Sequence, residues 1–217
     1  MTEQSALPES RRGDRGHPVR EGSLVRLRAH VPANRGPFQR WYADEDIAKL
    51  LRHDLRPLTP VQSMVYFDSV VLPGSARGLM FAIHERESDE LIGTCGLTNL
   101  DLESRGGCFF RIVIGEPRYW GRGFGTDATR LTLAEAFETH GRTHVNLEVF
   151  DYNQRAIRSY EKVGFVKTGE HIEWPSAADP DLHVLEMRID REQFNAREPD
   201  KGDSSARIPE PDAGKRA

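Results

Sequence analysis

The stretch Arg111 to Arg130, RIVIGEPRYWGRGFGTDATR, runs an apolar strand pattern into a glycine-rich turn that opens a helical pattern. Gly121, Gly123 and Gly125 remove side chains where the backbone must bend and approach a ligand. The first turn of the helix after them carries unpaired N–H groups and the positive end of a dipole. Together these features suit a phosphate or pyrophosphate, with Thr126 able to add a hydroxyl and Arg122 a positive charge. A tight strand-to-helix turn with no ligand would use the same glycines, so the turn alone leaves both readings open. Two nucleotide folds compete for it. A P-loop needs GxxxxGK[ST], and no lysine follows these glycines. A Rossmann fingerprint is GxGxxG after a first strand, whereas here GxGxG follows an antiparallel-looking meander.

Upstream, strict alternation over Leu24 to Ala29 predicts a first strand. Pro37 opens a short helical pattern through Trp41, and Thr59-Pro60-Val61-Gln62 combines an N-cap, a first-turn proline and a capping box for a helix to about Leu72. Three strand-like runs follow, Gly78 to Glu85, Leu91 to Leu100 and Cys108 to Ile114. Downstream, a helix is expected from about Gly123 to Thr139 with Gly141 as its stop. A strand is expected around Val145 to Phe150, a helix from an Asn153 N-cap to about Gly164, and final strands over Phe165 to Ile172 and Leu182 to Ile189. The expected class is α/β in the α+β sense.

The chain has 217 residues, suited to one domain with appendages. Residues 1–22 hold four acids and four arginines with little apolar material, and residues 191–217 hold six acids and six bases. Both are expected to be disordered tails around a folded domain at 23–190, which then carries the whole net charge of −4. That charge disfavours nucleic acid as a partner. The longest apolar runs, such as Leu79 to Ile83, fall far short of the roughly 20 residues that span a bilayer, and because no apolar stretch follows the arginines of residues 1–22, export by a secretory signal is not expected. Cys95 and Cys108 form neither a CxxC pair nor a disulfide framework. A cytoplasmic protein, monomer or homodimer, is the expectation.

At this point the chain resembles the GNAT superfamily of acyl-CoA-dependent N-acetyltransferases. Its [QR]xxGx[GA] motif maps to Trp120-Gly121-Arg122-Gly123-Phe124-Gly125, with tryptophan first as in the branch holding ribosomal-protein and spermidine acetyltransferases. A second block, VNLEVFDYNQRAIRSYEKVGF from Val145 to Phe165, is similar to that branch's strand-then-helix element. The resemblance spans nearly all of 23–190. It implies a GNAT fold, a mixed, mostly antiparallel sheet with helices on both faces that splays between 108–114 and 145–150. It implies acetyl-CoA as co-substrate, with Ile112, Val113 and Ile114 on the strand that bonds the pantetheine arm. Gly121, Arg122, Gly123, Phe124, Gly125 and Thr126 would hold the pyrophosphate, and Asn153 would touch the cofactor arm.

Tyr160 would stand near the thioester sulfur as general acid, since a departing thiolate needs a proton and a neutral phenol can supply it. Spacing alone, four residues after Ala156, favours a core tyrosine; the resemblance reverses that. Glu148, on the strand face opposite Val145, Leu147 and Val149, is the first candidate base; its other reading is a solvated strand glutamate. The chain departs from its branch in having Cys108-Phe109 where many members carry Ala-Glu, and Arg111 where they carry glycine. The expected activity is transfer of acetyl directly to a primary amine of a protein N-terminus, polyamine or other small molecule. The alternative is a catalytically idle acyl-CoA-binding regulatory domain. No metal is expected: His140 and His144 are separated by Gly141 and the other histidines are scattered. Trp41, Tyr42 and Trp174 lie in segments that border acceptor pockets in the superfamily, and Asp44, Glu45 and Asp46 read as a helix start.

Overall fold

The alternation that begins at Val25 sets a ladder of antiparallel strands. In this computed structural model, which describes residues 16–100, 106–176 and 180–197, the strands are β1 (Pro18–Glu21), β2 (Val25–Ala29), β3 (Met80–Glu85), β4 (Leu91–Thr98), β5 (Gly107–Ile114), β6 (His144–Phe150), β7 (Val166–Glu173) and β8 (Leu182–Asp190). They form one sheet in the order β1-β2-β3-β4-β5-β6-β8-β7. Every neighbouring pair is antiparallel except β5 and β6, which run parallel. Helices α1 (Arg35–Tyr42), α2 (Glu45–Leu51), α3 (Pro60–Tyr66) and α4 (Leu72–Ala76) lie between β2 and β3. The long helix α5 (Phe124–Ala134) links β5 to β6, α6 (Gln154–Val163) links β6 to β7, and α7 (Arg191–Arg197) follows β8.

Period-two side chains give the sheet two apolar faces. Leu27, Phe81, Ile83, Leu97, Phe110, Val145 and Leu147 face α5 and α6 in the main core. On the other face Met80 packs with Phe38, Phe67 and Val71, and Val113 with Trp41 and Ile47. The expected capping box forms: Thr59 accepts from the Gln62 amide while Gln62 accepts from that of Thr59. The helix behind it does not run uniformly to Leu72. Pro73 has no N–H to donate, and a π turn over Phe67–Val71 intervenes before α4. Gly141 does end the long helix, at φ +65°, after a π turn over Glu135–Thr139.

The folded region reaches past the expected 23–190 limits at both ends. Residues 18–21 are β1, paired antiparallel with β2, and its Arg20 is buried in an ion pair with Glu135 and Glu138 at the end of the long helix. Residues 191–197 are α7, whose Phe194 lies 5.3 Å from Phe137. Both elements are too short to display a period in sequence. The remainder of the two expected tails, 1–15 and 198–217, lies outside the described residues.

Candidate active site

β5 and β6 pair through only three rungs, Gly107↔His144, Cys108↔Val145 and Phe109↔Asn146. Beyond them β5 stays on β4 as far as Gly93↔Ile114, while β6 stays on β8 as far as Phe150↔Val184. The two strands therefore splay, as expected. The Gly115 N–H reaches back to Ile92 in β4 at 2.9 Å, and strand alternation sends the amides of Ile112 and Ile114 the other way, into the splay. The Ile114 carbonyl accepts the Trp120 Nε1–H there at 2.7 Å. Val113 also lines the cleft, but the same alternation directs its backbone to β4, and its side chain packs on Trp41. The splay is a cleft of about 330 Å³.

The turn at one end of the cleft has the geometry its glycines allow. Gly121 and Gly123 have φ of +72° and +93°, where a side chain would be strained, and Gly123 is the N-cap of α5. The first intrahelical bond is Asp127 N–H to the Gly123 carbonyl at 3.0 Å. The amides of Phe124, Gly125 and Thr126 precede it and point out of the helix end unshared. Phe124 contributes only its amide, since its ring is buried against Tyr119 at 4.9 Å. Thr126 Oγ1 is engaged with Ser159 Oγ at 2.8 Å. Asp127 anchors the turn by accepting from the Leu24 and Val25 amides at 2.7 and 3.0 Å. Arg122 lies over the Phe124 ring at 5.5 Å, and Arg155 stacks on Trp120 at 3.7 Å. Arg155, Arg158 and Lys162 on α6 line the same cleft, three cations that the sequence reading did not single out.

Asn153 caps α6, its side-chain oxygen accepting the Ala156 amide at 3.2 Å, and it lines the cleft. Two turns on, Tyr160 is 9% exposed, edge-on to Phe110 at 6.2 Å. Its hydroxyl makes no hydrogen bond among the described residues, and the side chain lines the cleft. Burial pushes the phenol well above the usual tyrosine range, with a smaller opposing pull from Arg155.

Glu148 lines the cleft from β6 on the face away from the main core. It lies directly opposite Glu186 across the β6–β8 ladder, and His53 Nε2 stands 3.9 Å from its carboxylate. His53 Nδ1 hydrogen-bonds Glu173, and His171 bonds both Glu186 and Glu173 at 3.0 and 3.2 Å. Burial alone would raise the Glu173 carboxyl, but hydrogen bonds from His53 and His171 hold it below the ordinary range; the Glu173 bond raises His171. The sequence reading missed this cluster. Its members come from the segment after α2 and from β6, β7 and β8, which meet only in the folded chain.

A second cavity of about 410 Å³ adjoins the cleft, since Leu51, His53, Arg111, Ile112 and Val113 line both. Its far wall is Tyr42, Leu58, Tyr66 and Met80. Of the aromatic residues noted in sequence, Tyr42 lines it, Trp41 is core and donates to Glu116 at 3.0 Å, and Trp174 is exposed. Asp44 caps α2 by accepting from Asp46 and Ile47. His140 bonds the Gly78 carbonyl at 2.8 Å, while His144 sits in β6. Among the described residues no group of three or more His, Cys, Asp or Glu is placed to hold a metal ion, and no helix is long and apolar enough to cross a membrane.

Comparison with known proteins agrees with this geometry. The sequence profile of the Acetyltransferase (GNAT) domain matches residues 25–166. An uncharacterized N-acetyltransferase, p20 of Bacillus licheniformis, is 26% identical over 136 residues, 59% of this chain and 71% of the relative. YoaA of Bacillus subtilis, likewise an uncharacterized N-acetyltransferase, is 31% identical over 96 residues, 43% of this chain and 51% of the relative. Among solved structures, spermidine N-acetyltransferase from Vibrio cholerae in complex with CoA and spermine superposes with a TM-score of 0.68 at 19% identity, covering 80% of this chain and 99% of that one. Aminoglycoside acetyltransferase AAC(6')-Ib in complex with coenzyme A gives 0.63 at 21% identity, over 80% and 98%. With the splayed sheet, the glycine turn and a profile that matches well over half its length, this chain belongs to the GNAT family of acetyltransferases and is an acyltransferase.

Proposed function

We propose that the protein transfers acetyl directly from acetyl-CoA to a primary amine in the cleft between β5 and β6. The observation that carries this reading is the splay itself: strand amides at Ile112 and Ile114 open into a cleft that ends at the unshared amides of Phe124, Gly125 and Thr126. Those amides suit a pyrophosphate, and Arg122, Arg155, Arg158 and Lys162 suit the further negative charge of a CoA. Bound acetyl-CoA supplies an activated thioester, and the rest of the chemistry belongs to the chain's own side chains. The amides of β5 donate to the carbonyl oxygen as it gains charge. Glu148, with His53 beside it, takes the proton the amine must lose. Tyr160 donates its proton to the departing sulfur. The burial that raises the phenol also raises the proton affinity of a thiolate in the same cleft, so the transfer stays feasible.

The test is thiol release from acetyl-CoA with a panel of amines, paired with mass detection of the acetylated product. Amine-dependent thiol release with stoichiometric acetamide supports the proposal. Tight acetyl-CoA binding with no transfer to any amine would replace it with a binding-only role.

A further inference from the structure

The acceptor end of the cleft carries a charge pair held apart. Phe109↔Asn146 is the last rung between β5 and β6, and Arg111 and Glu148 each lie two residues farther along. In an unsplayed sheet they would be the next pair on the same face, an ordinary cross-strand ion pair. The splay parts them instead. The Arg111 side chain makes no hydrogen bond, ion pair or ring contact among the described residues, and it lines both cavities. Gly96 lies opposite it on β4, and Met80 occupies the space beside that glycine. Other charges on the second cavity are already taken: Arg52 pairs with Asp54, and His53 bonds Glu173. Of the three clustered carboxylates Glu148 is the one that lines the cleft, while Glu173 and Glu186 accept hydrogen bonds from the two histidines.

We infer that the acceptor is a zwitterion, an apolar α-amino acid whose carboxylate is bound by Arg111 while its amine lies toward Glu148. This rests on the acetyl-transfer reading above and adds the acceptor class to it. A guanidinium at the mouth recognises a carboxylate through a charge-assisted, two-pronged hydrogen bond and repels a polycation. The gap between neighbouring strands is about 5 Å where they pair and widens past Phe109, room for a molecule whose amine and carboxylate share one carbon. The side chain would enter the second cavity, where Tyr42, Leu58, Tyr66 and Met80 offer an apolar wall. Rings of Tyr42 and Tyr66 stand 5.9 Å apart there. A polyamine or aminoglycoside would meet Arg111 with nothing to offer it.

The test compares kcat/KM, with acetyl-CoA as donor, for L-phenylalanine, L-leucine and L-methionine, the amide of each, and spermine, using the wild-type protein and the Arg111→Gln and Arg111→Lys variants. The amides are less basic and hold more free amine at neutral pH, so a preference for the acids runs against intrinsic reactivity. The expected result is at least one acid favoured over its amide by about 10- to 100-fold, a preference that collapses in Arg111→Gln and partly returns in Arg111→Lys, with spermine poor throughout. Amides or spermine acetylated as well as or better than the acids would overturn the inference and leave the transferase reading intact. So would an acid-to-amide ratio unchanged in Arg111→Gln. Thiol release with none of the seven amines would also overturn the inference, and the transferase reading would then rest on the wider amine panel.

Discussion

Tyr160 and Glu148 handle protons on opposite sides of the proposed transfer, so their substitution should fail in different ways. Tyr160→Phe keeps the ring against Phe110 and removes only a hydroxyl that makes no hydrogen bond among the described residues. Turnover should fall by roughly 10²- to 10⁴-fold, while acetyl-CoA affinity by calorimetry stays within about twofold. A comparable loss of affinity would make Tyr160 a binding residue instead. Glu148→Gln keeps the size of the side chain but not its basicity. Its rate loss should shrink as pH rises and more free amine is present, a trend visible in parallel pH–rate profiles. A variant profile that superposes on wild type across the range would reduce Glu148 to a strand residue.

Among the elements, the turn before α5 does most to position the site, and it is anchored from outside. Asp127 joins the first turn of α5 to the amides of Leu24 and Val25 at the start of β2. Asp127→Ala would leave the buried Val25 amide without its acceptor, so stability should drop by about 2–4 kcal/mol in denaturant unfolding. Acetyl-CoA affinity should fall with it, because the unshared amides of Phe124 to Thr126 lose their fixed aim. A stable variant with wild-type affinity would show that the anchor is dispensable. This element was legible in sequence because its signal is local: three glycines after an apolar strand, then a helical period. The same holds for Asn153 and the α6 cap. The cluster of Glu148, His53, His171, Glu173 and Glu186 was not, since its members meet only through the sheet order and the placing of the segment after α2 against it. Val113 shows the finer limit: a motif names a strand, but the hydrogen-bonding partner of each residue is settled by the neighbouring ladder.

For the whole molecule, the two faces of the sheet divide the labour. α5 and α6 on one side hold the turn and Tyr160, and α1 to α3 on the other line the second cavity. Sequence periodicity located most of this architecture but not β1 and α7, whose four and seven residues are too few for a period. The second face also carries a pH liability. His30 is almost fully buried, bonded to Thr94 Oγ1 at 2.9 Å, and burial lowers its pKa from 6.5 to about 4. Between those values the unfolded chain binds more protons than the folded one, so stability falls as pH falls. The contribution is complete above about pH 6.5, and roughly 3 kcal/mol of it is lost by about pH 4. Unfolding free energies across that range should therefore slope less in His30→Gln than in wild type; parallel slopes would contradict the assignment.

Acetyl-CoA is proposed to bind in the β5–β6 splay with its pyrophosphate at the glycine turn, and Gly125 offers the cleanest probe. Gly123 is unsuitable, because its φ of +93° strains any side chain and Leu24 lies 3.1 Å from the added Cβ. A Cβ on Gly125 would meet only Ile114 Cγ1 at 3.7 Å and Ser159 Oγ at 4.0 Å, ordinary contacts with two cleft-lining residues. Gly125→Val should therefore fold normally and fill the space a pyrophosphate needs. Calorimetric titration with acetyl-CoA is the direct measurement. The wild type should bind at one site per chain and Gly125→Val at least about 100-fold more weakly, with the variant's unliganded thermal midpoint within a few degrees of wild type. Equal affinity in the folded variant, or no binding by the wild type, would contradict the proposed site.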